Sequence, residues 1–294
     1  MTLLQLQVFL CVVETGSFTK AAERLSMTQS GISHMISGLE EELGVALLSR
    51  SRKGSKMTEA GEKLWAHARA IMQHVDQIQD EMFAFRGLER GTLRIGTFPS
   101  VSARFLPSLM ALFQVRYPGI ELILFEGTNQ EVRNWIHTGA VNVGFVSLPD
   151  QEFDTTPVMK DEMLLLLPAD HELAGQAAVP VSQIAHDPFI LTRAGCEGLV
   201  LSMFRPAVPQ VKYEVQDTAT ILAMVKQGLG ITILPQMALP DDRKGISAVR
   251  LDPPVYRHLG LAVQSSAAAS PAVRTFIREA ETFGCSLMAV TAQK

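Results

Sequence analysis

The sequence predicts a multi-domain α/β chain: a small helical head with a basic wing, one long linker helix, and a two-lobed α/β remainder. Three observations carry this. Residues 1–44 hold three short apolar-periodic segments separated by turn signals, followed by the basic run LLSRSRKGSK at 47–56. Residues 62–86 then run without proline or glycine, and their apolar residues recur in alternating steps of four and three. From 91 onward strand-like apolar runs alternate with amphipathic stretches.

The bulk properties bound the answer. The chain has 294 residues, 47% hydrophobic and 19% charged, enough for two or three packed units. Its formal net charge of -4 supplies no global basic field, so any contact with nucleic acid must rest on a local patch. Cys11, Cys196 and Cys285 lie far apart and are odd in number, which fits neither a disulfide framework nor a zinc spacing. They are expected to be three buried thiols packing as small hydrophobes in a reducing cytoplasm. The opening MTLLQLQVFLCVVETG has no basic n-region, carries Glu14, and meets its first lysine at Lys20, unlike a signal peptide. No uncharged apolar run is long enough to span a bilayer, so a soluble, cytoplasmic protein is expected.

In the head, Leu6, Phe9, Leu10 and Val13 mark one face of a first helix, with Gly16 as its stop. Ser17 is a natural N-cap for a second helix over about 17–25, where Phe18, Ala22 and Leu25 share a side and Ala21-Ala22 permits close approach. After a short turn, Thr28 caps a third helix whose buried stripe is Ile32, Met35, Ile36, Leu39 and Leu43, ending at Gly44. At 100° per residue, Ser30, Ser33, His34 and Ser37 point away from that stripe, with Gln29 near its edge.

Two helices joined by a tight turn, the second slender and polar outside, describe a helix-turn-helix. Small hydroxyls let such a helix settle in a major groove, Gln can pair bidentately with adenine, and Ser or His can reach base edges or phosphates. A plain solvated helix would carry more Lys and Glu outside and no basic flank. Arg50, Arg52, Lys53 and Lys56, set around Gly54 with no acid among them, resemble instead a two-stranded wing against the sugar-phosphate backbone. Residues 1–60 hold six Lys/Arg and six Asp/Glu, so the head as a whole is neutral and only its wing is basic. Each module should therefore bind weakly and depend on dimerisation.

The long helix carries Leu64, Ala68, Ile71, Val75, Ile78, Met82 and Phe85 as a heptad seam, widened by Trp65 and Met72. It is read as a dimerising linker; the alternative is one amphipathic helix lying on its own domain. Two heads on one coiled coil would read half-sites about one helical turn, or a multiple of it, apart.

These residues resemble the LysR-type transcriptional regulators. The match is densest over 3–66. It includes Ala21-Ala22 with Leu25, then Ser33, Ile36, Leu39, Glu40, Leu43 and Gly44 in the pattern S-x-x-I-x-x-L-E-x-x-L-G. Leu47-Leu48-Ser49-Arg50 stands for L-F-x-R, and Met57-Thr58-Glu59-Ala60-Gly61 for L-T-x-A-G. Two departures bear on the operator: Thr28-Gln29-Ser30 stands where Ser-Gln-Pro is usual, and His34-Met35 where Arg or Gln often follows the serine. The expected partition is a winged helix-turn-helix at 1–58, a linker helix at 59–88 and an effector domain at 89–294. Ser17, Thr28, Gln29, Ser30, Ser33, His34 and Ser37 would join the wing cations on double-stranded DNA.

Over the remaining residues, strands are predicted at 91–97, 120–128 and 141–148, with helices at 102–119 and 129–140 between them. This βαβαβ order implies a parallel sheet with right-handed crossovers. A second set is predicted from strands near 162–170, 188–193, 212–217, 231–235 and 258–264, with helices at 218–230 and 270–283. The resemblance implies a two-lobed, periplasmic-binding-protein-like effector domain, lobe I about 89–162 and 267–294, lobe II about 163–266. Its ligand cleft would lie at the carboxyl ends of strands.

Three strand-to-helix turns carry hydroxyls there: Thr97, Ser100 and Ser102; Thr128 with Asn129; and Thr218 after Asp217. Each is either part of an anion site at a helix start or simply an N-cap. Val101 and Val146 would line the same cleft. Thr192 and Arg193 could add a hydroxyl and a cation, or Arg193 could be an exposed loop residue.

No catalytic constellation is seen: G-x-S-x-G, H-E-x-x-H, a P-loop and G-x-G-x-x-G are all missing, and the seven histidines are scattered. No enzyme, cofactor or metal is expected. The leading reading is a DNA-binding regulator, a homodimer or homotetramer, answering to a small, anionic effector. The alternatives are a solute-binding or enzymatic α/β module with an accessory N-terminus, and a DNA-organising protein whose cleft is degenerate.

Overall fold

The structure, a computed structural model, describes residues 1–51, 54–85 and 91–291. The chain divides into two compact units, the first essentially Met1–Phe85 and the second the rest of the chain.

The first unit holds three helices, a hairpin and a long fourth helix. Helix α1 (Leu3–Thr15) opens with a capping box between Thr2 and Gln5 and stops at Gly16, whose φ of 63° suits a residue without Cβ. Helix α2 (Phe18–Arg24) is capped by Ser17, and α3 (Gln29–Leu43) by Thr28, with Gly44 in the left-handed region closing it. Strands β1 (Leu48–Ser51) and β2 (Gly54–Met57) pair antiparallel as the wing. Helix α4 spans Glu59–Phe85. Val8, Phe9, Val12, Ala21, Ala22, Ile32, Ile36 and Leu39 form the core. Leu43, expected in that stripe, is exposed at the last turn of α3.

The second unit starts with β3 (Gly91–Thr97). The single helix expected over 102–119 is two: α5 (Pro99–Arg104) and α6 (Leu106–Arg116). Pro107 explains the break, because its ring clashes with the carbonyl four residues back and it has no N–H to continue α5. Then come β4 (Ile120–Glu126), α7 (Asn129–His137), β5 (Val143–Leu148) and a long β6 (Asp154–Pro168). Beyond lie β7 (Ala178–Pro180), β8 (Pro188–Thr192), α8 (Glu197–Met203) and β9 (Gln210–Val215). The chain closes with α9 (Thr218–Lys226), β10 (Thr232–Pro235), β11 (Ile246–Asp252), β12 (Tyr256–Val263) and α10 (Pro271–Thr291).

Strand β3 pairs parallel with β4 and β5, as the βαβαβ order implies, whereas β12 joins β5 antiparallel. The whole sheet runs β4-β3-β5-β12-β6-β11-β7, with β10 also on β6. Strand β6 is shared: Asp154–Glu162 pairs with β12, and Met163–Pro168 with β10 and β11. It therefore belongs to both lobes. Because β12 lies between β5 and the first half of β6, the chain is back in the first lobe by Tyr256, not 267. The first lobe is cored by Phe105, Phe113, Phe145, Leu259, Leu261 and Phe276, the second by residues such as Leu165, Phe189, Val200 and Ile233.

Candidate functional site

In the first unit, Ile32, Ile36 and Leu39 anchor α3 from below and fix which side faces water. Gln29, Ser30, His34 and Ser37 are exposed on that side, and Ser33 is half-buried at its margin. The Thr28 hydroxyl accepts from Gly31 N at 3.1 Å and lies 3.2 Å from Ser30 Oγ, so Ser30 is engaged at the cap. Gln29, His34 and Ser37 carry the outward polar chemistry. Ser17 is half-buried and accepts from Lys20 N at 3.4 Å, an N-cap to α2.

The wing is fixed to this helix by one carboxylate. Glu40 Oε1 accepts from Leu47 N at 2.7 Å and Leu48 N at 3.1 Å, clamping the entry of β1 onto α3. Ser55 N donates to Gly16 O at 3.2 Å, tying β2 to the α1–α2 turn. Lys56 is exposed on β2. Arg52, Lys53 and the side chain of Arg50 lie outside the described residues. The Thr-x-Ala-Gly stretch has a structural reason: Thr58 Oγ1 donates to Ala46 O and accepts from Gly61 N. A Cβ at Gly61 would overlap the Leu47 carbonyl oxygen.

The heptad seam divides. Ala68 is fully buried, and with Leu64, Trp65, Ile71 and Met72 it packs on Leu6 and Leu10 of α1 in its own head. The first half of the expected dimer seam is therefore taken by the same unit, because α1 is apolar on two sides and α4 covers the second. Val75 is half-buried, while Ile78 and Met82 are 58% and 51% exposed. The side chain of Phe85 lies outside the described ones.

In the second unit the expected cleft residues separate into several roles. Val101 and Val146 are fully buried core residues, one on the inner side of α5 and one on β5 beneath α7. Thr97 is buried with Oγ1 3.4 Å from Phe98 O, and Ser102 Oγ makes the same contact at 3.4 Å. Thr128 is a cap: its N–H and hydroxyl donate to Glu131 Oε2 at 2.7 and 2.9 Å, and Glu131 N returns to Thr128 Oγ1 at 3.2 Å. Those bonds hold the Glu131 carboxyl below its usual range. Thr218 begins α9 behind Asp217, which accepts from Thr220 N at 2.7 Å and from its hydroxyl at 2.8 Å. Thr192 is buried and accepts from Ala194 N at 3.2 Å. Arg193 pairs on the surface with Glu214 at 3.0 Å, the exposed loop arginine of the two readings.

Ser100 behaves differently. Its Oγ accepts from Nη2 of Arg257, on β12, at 2.8 Å. Arg257 is 6% exposed, and Nε and Nη2 both donate to Asp161 Oδ2, at 2.9 and 2.7 Å. Asp161, on β6, is 4% exposed and also accepts from Met237 N at 3.1 Å. Nη1 meets Cys196 Sγ at 3.6 Å, and the guanidinium carbon lies 5.5 Å from the Phe98 ring centre. The pair thus links the first turn of α5 in one lobe to the start of α8 in the other.

Burial pushes the Asp161 carboxyl above its ordinary range, with Arg257 opposing the rise. Burial likewise raises the Cys196 thiol, so it packs as a neutral, weakly polar group. Cys11 is buried too, whereas Cys285 is exposed on α10, against the expectation of three buried thiols. Two further contacts tie the lobes: Arg104, on α5, donates to Asp241 Oδ1 at 2.8 Å and to Leu239 O at 2.5 Å.

Arg257 and Asp161 were not singled out by the sequence, yet a signal is there. With period two, Arg257 falls on the face of Leu259 and Leu261, and Asp161 on the face of Met163 and Leu165, all buried. A charge on an inward strand face needs a partner, and these two supply each other.

Residues 3–62 match the family model described as a bacterial regulatory helix-turn-helix protein of the lysR family, and 86–283 match the LysR substrate binding domain. The chain is 39% identical to the uncharacterized HTH-type transcriptional regulator YvbU of Bacillus subtilis, over 97% of this chain and 99% of that one. It is 38% identical to the probable HTH-type transcriptional regulator LrrA of Synechococcus elongatus, over 94% and 95%. A full-length OxyR variant of Pseudomonas aeruginosa has a similar structure, with a TM-score of 0.77 at 23% identity, covering 96% of this chain and 98% of that one.

Proposed function

The chain belongs to the LysR family of transcriptional regulators, and on that premise we propose how its two units divide the work. It is a DNA-binding regulator rather than an enzyme, with a helix-turn-helix domain and a substrate-binding domain. In this reading α3 enters the major groove with Gln29 and His34 toward base edges and Ser33 and Ser37 beside them. Thr28 and Ser30 form its N-terminal cap near the phosphates. Ser17 supplies the cap of α2, and Arg50, Arg52, Lys53 and Lys56 approach the backbone.

The second half of α4, through Val75, Ile78 and Met82, joins a second copy, giving a homodimer or a homotetramer. A small, anionic effector lies between the lobes of the second unit at the Ser100 turn. By binding both lobes it biases their arrangement and so the DNA-bound state. Such a regulator acts where bacterial DNA lies, in the cytoplasm. Among the described residues no helix is long and apolar enough to cross a membrane.

The observation that carries the DNA reading is the solvent face of α3: Gln29, His34 and Ser37 exposed and free of long aliphatic groups, above a helix anchored by three buried residues. The test is a binding titration on DNA from upstream of the protein's own gene. Gln29→Ala should cost about 1–3 kcal/mol at one base pair and relax preference there. Equal loss on specific and random DNA would make Gln29 a phosphate contact instead.

A further inference from the structure

The two lobes of the second unit are joined by more than the strands that cross between them. After β10 the chain leaves the second lobe for a few residues and then returns. Leu234 and Leu239 are buried in the core of that lobe, whereas Met237, in the 3-10 turn Gln236–Ala238, packs on the core of the first. Pro235 and Pro240 bracket the excursion and fix φ where the chain leaves and comes back. Two polar fastenings hold it. On the inside, Met237 N donates to Asp161 Oδ1 at 3.1 Å, and Asp161 is the buried partner of Arg257. On the outside, Arg104 at the end of α5 donates from Nη1 to Asp241 at 2.8 Å and from Nη2 to Leu239 O at 2.5 Å.

The two fastenings differ in how easily they yield. The inner one is dry, and parting Asp161 from Arg257 would leave a charge stranded without water. The outer one is wet: the Arg104 side chain is 35% exposed and that of Asp241 92%, so water and salt compete for both groups.

We propose that residues 236–241 form a strap that fastens the second lobe to α5 of the first, with the Asp161–Arg257 pair as its fixed anchor and Arg104 as its releasable catch. Helix α5 is held at both ends, Ser100 by Arg257 at 2.8 Å and Arg104 by the strap. Asp161 and Arg257 face each other where β6 pairs with β12. When Arg104 lets go, α5 and the strap part at the Leu239–Asp241 end and the lobes turn about the buried pair. Neither core has to break for this opening, because only Met237 is shared between them. The inference stands on contacts within the second unit and asks nothing of what the cleft binds.

The test is amide hydrogen–deuterium exchange of the full-length protein, which reads local opening segment by segment. Wild type is compared with Arg104→Met, with Arg104→Glu, and with Arg104→Glu combined with Asp241→Arg. Because Arg104 is partly exposed, these variants keep both cores intact. In Arg104→Met the segments 98–105 and 236–241, one from each lobe, should exchange about tenfold faster and by the same factor, while 143–148 and 188–192 keep their wild-type rates. Arg104→Glu, which sets two like charges together, should exchange faster still, and adding Asp241→Arg should slow it again. Raising the salt from about 0.01 M to about 1 M should quicken both segments in wild type and leave Arg104→Met unmoved. Unchanged exchange in Arg104→Met, or a wild type indifferent to salt, overturns the catch. Acceleration confined to one of the two segments overturns the shared opening. Equal acceleration of 143–148 and 188–192 would make Arg104 a general stabiliser and overturns the strap.

Discussion

Arg257→Met is expected to destabilise the second unit in a way that depends on pH. The residue and its partner Asp161 are nearly excluded from water, and the carboxylate accepts two of its N–H groups from Arg257. Deleting one member of such a buried pair costs about 3–5 kcal/mol, because the remaining charge stays buried and uncompensated. Met237 N still donates to Asp161, which places the expected loss at pH 7.5 near the lower end, about 3 kcal/mol. Replacing both residues together, Arg257→Met with Asp161→Leu, removes both charges and should cost less than about 1 kcal/mol.

The pH dependence follows from the direction of the Asp161 shift. Burial already raises this carboxyl, and loss of the opposing arginine raises it further. The native state then holds the proton more tightly than the unfolded chain. Stability of the single variant is therefore greatest at low pH and falls as pH rises from the unfolded aspartate range, about 3.9, through the raised native value. Its deficit against the double variant should shrink between pH 7.5 and pH 5. The assay is urea unfolding followed by Trp135 fluorescence in a Trp65→Phe background, since the chain has two tryptophans and only Trp135 lies in the second unit. A single variant within about 1 kcal/mol of wild type at pH 7.5, or a deficit that grows as pH falls, refutes the reasoning.

Three other perturbations address the first unit. Gly61→Ala should lower its stability by about 1–3 kcal/mol, read through Trp65 fluorescence, because the new methyl meets the Leu47 carbonyl; an unchanged transition would mean the backbone yields freely there. Arg52→Ala with Lys53→Ala should weaken every DNA sequence alike and reduce the salt slope by about one unit per lost phosphate contact, and an unaltered slope would remove the wing from the interface. Ile78→Glu with Met82→Glu should give monomers in sedimentation with the heads still folded, whereas Ile71→Glu should destabilise the head, because Ile71 packs beside Ala68 and α1. Stable dimers in the first variant would place the contact elsewhere.

The head was legible in the sequence because its signals are local. Ser17 and Thr28 cap helices, Gly16 and Gly44 end them, and apolar spacing fixes their buried faces. The seam was half legible: heptad spacing shows that Leu64, Ala68 and Ile71 share a face with Ile78 and Met82, but not that α1 offers Leu6 and Leu10 to the first three. The strands β7 and β11 and the helix α8 were missed, being short or lacking a clear period. In the cleft, hydroxyls at helix starts were visible, and of these Thr128 proved to be a cap and Ser100 a partner of Arg257, while the buried ion pair was not visible. Arg257 and Asp161 are 96 residues apart, and their meeting depends on β6 pairing with β12.

The most direct test of the central claim is a fluorescence-anisotropy titration of the full-length protein on two duplexes of equal length at one fixed salt concentration. One carries the DNA upstream of the protein's own gene, the other random sequence. A sequence-specific regulator reading bases through α3 should bind the first at least about a thousandfold more tightly than the second. Equal affinity for the two duplexes would contradict it.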